Sequence, residues 1–130
     1  MERYSRVFKT VNLDDIRQNM EDMRGNLKEG TEMIGVVKAD GYGHGSVPVA
    51  CAIDSYVSGY ATATPEEAVI LRKHGITKPI LILGVSPESS FSQLIEYDLR
   101  PAIFRYESAE RLSELAVQAG KRASIHIALD

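Results

Sequence analysis

Residues 35–45 read Gly-Val-Val-Lys-Ala-Asp-Gly-Tyr-Gly-His-Gly. An apolar run, Met33–Lys38, ends in a lysine, and Gly41, Tyr42, Gly43 and Gly45 follow within seven positions. The run has the length and composition of a buried strand, and the glycine-rich segment after it reads as a loop. In parallel α/β folds, the groups that perform chemistry gather at the carboxyl ends of strands. Lys38 is placed at such an end, a flexible cation beside permissive backbone.

Working outward, similar apolar runs occur at Tyr60–Thr64, Pro79–Gly84, Pro101–Phe104 and Ser124–Leu129. Helical patterns lie between them. Ile16, Met20, Met23 and Leu27 form one apolar stripe, with Asn12 as N-cap and Asp15 three residues on. A second helix is expected over about residues 47–57, with Pro48 in its first turn. The third has the clearest start: Thr64 caps, Pro65 takes the first helical position, and Glu67 stands where a capping box requires an acid. Arg72, Lys73 and His74 crowd its last turn, where cations suit the helix dipole, and Gly75 stops it. Ser86-Pro87 opens a fourth, with Phe91, Leu94 and Ile95 apolar. A fifth spans about Ser108–Ala119, with Leu112, Leu115 and Ala116 inward and Gly120 as its stop.

Strand, helix, strand is the rhythm of βα units building a parallel sheet. Right-handed crossovers put the helices on one side if the sheet curls into a barrel, or on both if it stays open. A (β/α)8 barrel needs about 250 residues, whereas this chain has 130 and five candidate strands, with a leading segment, Tyr4–Val11, as a further possibility. The final run ends where a functional loop should begin, so the chain reads as the N-terminal portion of a longer protein, about five of eight βα units of a TIM-type barrel.

Composition narrows the partners. The chain is 44% hydrophobic and 25% charged, with a formal net charge of −3 from 15 basic and 18 acidic side chains. There is no basic stripe for nucleic acid, and no apolar stretch long enough to span a membrane. The N-terminus lacks the apolar core of a signal peptide. Cys51 is the only cysteine, so no internal disulfide can form, and it is expected to be a small buried apolar side chain. A cytoplasmic location is expected. His44, His74 and His126 lack ligand spacing, so no metal site is expected. His44 reads as a hydrogen-bonding loop residue, His74 as solvated, and His126 as buried and hydrogen-bonded. Asp40 either caps the loop or orients a neighbour.

An amine that forms a Schiff base must be held rigidly and be neutral near pH 7, conditions that a strand end and partial desolvation favour. Residues 35–45 are neither a Walker A loop nor a Rossmann fingerprint. Taken alone, a lysine ending a strand is commonly solvated and a Gly-x-Gly-x-Gly run commonly a turn. The full string changes this reading. Val36-Val37-Lys38-Ala39-Asp40-Gly41-Tyr42-Gly43-His44-Gly45, then Ala61-Thr62-Ala63-Thr64-Pro65-Glu66-Glu67-Ala68, then His126–Asp130, resemble in order the alanine racemase family.

The resemblance covers nearly the whole chain. It implies an N-terminal (β/α)8 barrel followed by a C-terminal β-domain that lies outside these residues. It also implies pyridoxal 5′-phosphate (PLP) as cofactor, alanine as small-molecule substrate, and a homodimer. Lys38 matches the lysine that binds PLP as a Schiff base and removes the α-proton of the D-enantiomer. Tyr42 matches the tyrosine whose hydroxyl contacts the cofactor phosphate. The opposite-face acid/base, a tyrosine from the C-terminal domain, lies beyond the chain. Ala128 departs from the family's pattern, in which a carbamylated lysine is frequent, and Gly41 stands where alanine is common. A related fold-type-III enzyme acting on serine, an amino-acid decarboxylase of the same fold, and a non-catalytic PLP-binding module are the other readings.

Overall fold

The computed structural model describes residues 7–129. Five parallel strands, β1 (Ile34–Val36), β2 (Gly59–Thr62), β3 (Ile80–Ile82), β4 (Arg100–Ile103) and β5 (His126–Ile127), lie side by side in chain order. The helices are α1 (Leu13–Gly25), α2 (Ser46–Ile53), α3 (Pro65–Lys73), α4 (Phe91–Glu96) and α5 (Tyr106–Gln118). A helix between each pair of neighbouring parallel strands, with no change of strand order, makes an arc of a βα barrel rather than a doubly wound sheet. Val7–Val11 have no regular secondary structure, so this part of the expected leading strand is not formed; Tyr4–Arg6 lie outside the described residues.

Register explains which face is covered. Gly35 pairs with Tyr60, Tyr60 with Ile80, Thr62 with Ile82, and Ile82 with Pro101. Partners in a parallel ladder point to the same side, and Val37, Tyr60, Thr62, Ile80, Ile82, Pro101 and Ile103 are all buried on it. Ile53, Leu71, Phe91, Leu94 and Leu112 from the helices complete this core. The opposite face carries Ile34, Val36 and Leu83, which stay exposed. Hence β1 alternates exposed, buried, exposed, and β5 is exposed throughout, where continuous burial was expected.

The same one-sidedness corrects two further expectations. His126 is exposed because β5 is the last strand of the arc, and its pairing with Ala102 leaves it on the uncovered face. Cys51 is exposed because α2 turns Ala50, Ala52 and Ile53 inward and Cys51 away. In α1, Met20 is buried and Met23 is exposed, and Leu27, two residues past the end of the helix, is exposed as well.

Polar side chains near the amino end of the strands are hydrogen-bonded. The buried Tyr60 hydroxyl lies 2.7 Å from Asp54 Oδ1 and 2.8 Å from the Ala50 carbonyl. Burial first, then Asp54, pushes this phenol above its ordinary pKa, so it stays a neutral donor. Lys78 donates to the Asp54 and Val57 carbonyls. Arg72, expected to serve the helix dipole, instead turns inward and donates to four carbonyls: Nε to Tyr97 at 2.9 Å, Nη1 to Ile76 at 2.8 Å and to Lys78 at 2.7 Å, and Nη2 to Asp98 at 2.9 Å. One guanidinium thereby joins the α3–β3 and α4–β4 connections. Burial lowers its pKa, with Arg100 adding to the effect and Asp98 opposing it.

Candidate active site

The carboxyl ends of all five strands share one rim, since all run parallel. Lys38 stands on it, one residue beyond Val37, whose N–H extends the ladder to the Ala61 carbonyl at 2.9 Å. The chain then does something that pattern and spacing did not predict. Lys38–Tyr42 coils, but Ala39 (φ 50, ψ 50), Asp40 (φ 51, ψ 48) and Gly41 (φ 62, ψ 39) are left-handed. Tyr42 (φ 55) and Gly43 (φ 80) continue in that region.

A left-handed turn costs about 1–2 kcal/mol for each residue that carries a Cβ, and here Ala39, Asp40 and Tyr42 all do. Such strain persists where surrounding bonds over-determine it. Within the turn, Gly41 N–H donates to the Val37 carbonyl (3.0 Å), Gly43 N–H to Ala39 (2.9 Å) and Gly45 N–H to Asp40 (2.8 Å). Asp40 Oδ1 accepts from Ser46 N–H at 2.8 Å, pinning the start of α2; this settles Asp40 as a loop-capping residue. His44 Nδ1 lies 3.2 Å from the Gly41 carbonyl, the structural contact expected of it. The glycines also serve the turn itself. Their first task is the hand of the backbone, since Gly41, Gly43 and Gly45 all have positive φ.

Glu67 supplies the remaining brace. The third helix begins as expected, with Thr64 and Glu67 forming a capping box and Pro65 in the first turn. Glu67 Oε2 accepts from Ala63 N–H at 2.8 Å, while Oε1 reaches back across the rim to Ala39 N–H, also at 2.8 Å. Sequence reasoning identified the cap and missed the longer reach, for which a capping pattern carries no signal.

The turn brings the two candidate cofactor residues together. Lys38 Nζ sits 6.0 Å from the centre of the Tyr42 ring, and it makes no ion pair with any described residue. Lys38 is half-buried, and Tyr42 is exposed. Leu83, Val85, Phe104 and Tyr106, at the ends of β3 and β4, are exposed apolar side chains on the same rim. A Cβ at Gly43 would meet nothing within 4 Å except Lys9 Nζ at 3.8 Å, so the turn is open there. A primary amine without an ion-pair partner among the described residues, a phenol one turn away and an open backbone suit a phosphorylated aldehyde cofactor: an amine is the group that condenses with an aldehyde, and a phenol hydroxyl can donate to phosphate.

Residues 11–130 match the family described as "Alanine racemase, N-terminal domain". The chain belongs to this family. It is 45% identical over 125 residues to alanine racemase 1 of Clostridium acetobutylicum, covering 95% of this chain and 32% of that protein. It is 38% identical over 130 residues to alanine racemase of Clostridium kluyveri, covering 99% of this chain and 33% of that protein. Among solved structures, alanine racemase from Clostridium difficile 630 in complex with cycloserine superposes with a TM-score of 0.90 at 36% identity, covering 92% of this chain and 32% of that one. The chain thus spans about a third of the length of these relatives. The arc of five strands is the first part of this family's barrel.

Proposed function

We propose that the full-length protein is a PLP-dependent racemase that interconverts L- and D-alanine as a cytoplasmic homodimer, supplying D-alanine for cell-wall synthesis. The observation that carries the reading is the placement of Lys38, an amine without an anionic partner at the carboxyl end of β1 on a braced turn. The family membership and the alanine racemases among its relatives support it.

In this reading Lys38 holds the cofactor through its Nζ, and Tyr42 donates its hydroxyl to the cofactor phosphate. When bound, PLP acts as an electron sink that acidifies the α-proton of the amino acid attached to it. With the cofactor held there, the Lys38 amine would serve as a positioned base on one face of the substrate α-carbon. The hydrogen bonds of Ala39 N–H to Glu67 and of Ser46 N–H to Asp40 brace the backbone from which Nζ extends. A second acid/base, outside these residues, serves the opposite face.

The experiment is a racemisation assay of the full-length protein with PLP on L-alanine, L-serine and L-histidine. Alanine is expected to be interconverted fastest. Interconversion of none of them, or a clear preference for another amino acid, would contradict the reading.

A further inference from the structure

We propose that Glu67 is the positioning residue for Lys38: one carboxylate ties the backbone beside the lysine to the end of β2, and so fixes where the amine stands. This rests on the reading of Lys38 given above and adds to it a group that does not touch cofactor or substrate.

A capping box explains only half of what Glu67 does. For the cap, Thr64 Oγ1 accepts from Glu67 N–H (3.4 Å), and Glu67 Oε2 accepts from Thr64 N–H (3.4 Å) and more closely from Ala63 N–H (2.8 Å). Oε1 is left for Ala39 N–H, 28 residues earlier in the chain, at 2.8 Å. That N–H belongs to the residue bonded directly to Lys38 and is the first of the left-handed run. Ala39 has a Cβ and no intrinsic preference for φ 50. Its own carbonyl is held from within the turn by Gly43 N–H. Its N–H is held from outside, by Glu67. The contact therefore couples the orientation of the Lys38 peptide to the rigid junction of β2 and α3.

The chemistry of the acceptor makes the idea testable. Both Glu67 oxygens receive N–H donors. A carboxylate can accept on both; a glutamine amide accepts on one and presents its own N–H on the other, opposite a second donor. Glu67→Gln, nearly equal in size, can therefore satisfy the helix start or Ala39, but not both. Thr64→Ala weakens the same helix start and leaves the Ala39 contact in place.

In the full-length protein loaded with PLP, Glu67→Gln is expected to lower kcat for alanine about tenfold to a hundredfold, the scale for misplacing a reacting group by a fraction of an ångström to an ångström, with little change in KM. In the cofactor-free full-length protein, the same substitution is expected to change the rate at which trace acetic anhydride labels Lys38 relative to exposed Lys73. Thr64→Ala is expected to lower the unfolding midpoint while leaving kcat and Lys38 labelling unchanged. Parallel kcat losses in both variants, with Lys38 labelling unmoved in Glu67→Gln, would overturn the proposal and leave Glu67 a helix cap alone. Amide exchange gives a test that needs no variant: Ala39 N–H should be protected in the native protein, and rapid exchange there would overturn the proposal however the variants fold. Racemisation retained by Lys38→Ala would remove the functional reading itself, so the two failures register in different proteins.

Discussion

Lys38→Ala in the full-length protein should lose racemase activity by about 10⁴-fold or more, at or beyond the upper end of what a positioned proton-transfer group contributes, because the same amine also anchors the cofactor. Lys38→Arg should lose as much. A guanidinium remains protonated and acts neither as nucleophile nor as base near neutral pH. Stability should separate this effect from a folding defect. Lys38 makes no ion pair with a described residue and sits half-buried at the rim, so its removal should change unfolding by no more than about 0.5 kcal/mol, the range of ordinary surface substitutions. Activity in either variant within a factor of about ten of the wild type would be incompatible with a positioned base at this site.

The second large effect concerns stability. Arg72→Met should destabilise the barrel by about 2–4 kcal/mol in denaturant unfolding of the full-length protein, since hydrogen bonds to charged groups contribute about 1.5–3 kcal/mol each and orphaned, partly buried acceptors add a desolvation cost. The figure stays below the sum over four bonds because Arg72 is half-buried and water can reach part of the vacated space. Arg72→Lys should recover less than half of the loss. An ammonium is a compact donor and cannot span carbonyls from Ile76 and Lys78 on one side and Tyr97 and Asp98 on the other. Because the guanidinium serves the connections on the amino side of the sheet, kcat at temperatures well below unfolding should be retained. A loss under about 0.5 kcal/mol would show that water replaces the guanidinium at little cost.

Arg72 also shows what the sequence could and could not reveal. A cation near a helix C-terminus has an adequate local explanation in the dipole, and nothing local indicates that the carbonyls of Tyr97 and Asp98, some 25 residues on, will be in reach. Glu67 is the same case in reverse: its capping box was legible from four residues, and its bond to Ala39 was not. The five strands and the start of α3 were readable because apolar runs, Thr-Pro and glycine stops are local signals with local causes. The hand of residues 39–43 was hidden for the opposite reason. Alternating glycines permit a left-handed turn, but Ala39 and Tyr42 adopt it only because partners in α2 and α3 hold the chain there. At β1, β5 and His126 the expected burial is not reached because none of the described residues packs on the second face of these strands. The position of Lys38 was legible, since an apolar run ending in lysine before three glycines marks a strand end. The left-handed conformation of the residues that follow it was not.

The most direct test of the central claim is to reduce the PLP-loaded full-length protein with borohydride and map the modified peptide by mass spectrometry. The account predicts a stable pyridoxyl adduct on Lys38 Nζ, in the peptide containing residues 36–45, with loss of the visible absorbance of the bound cofactor. An adduct on any other lysine, or none despite bound PLP, would contradict it.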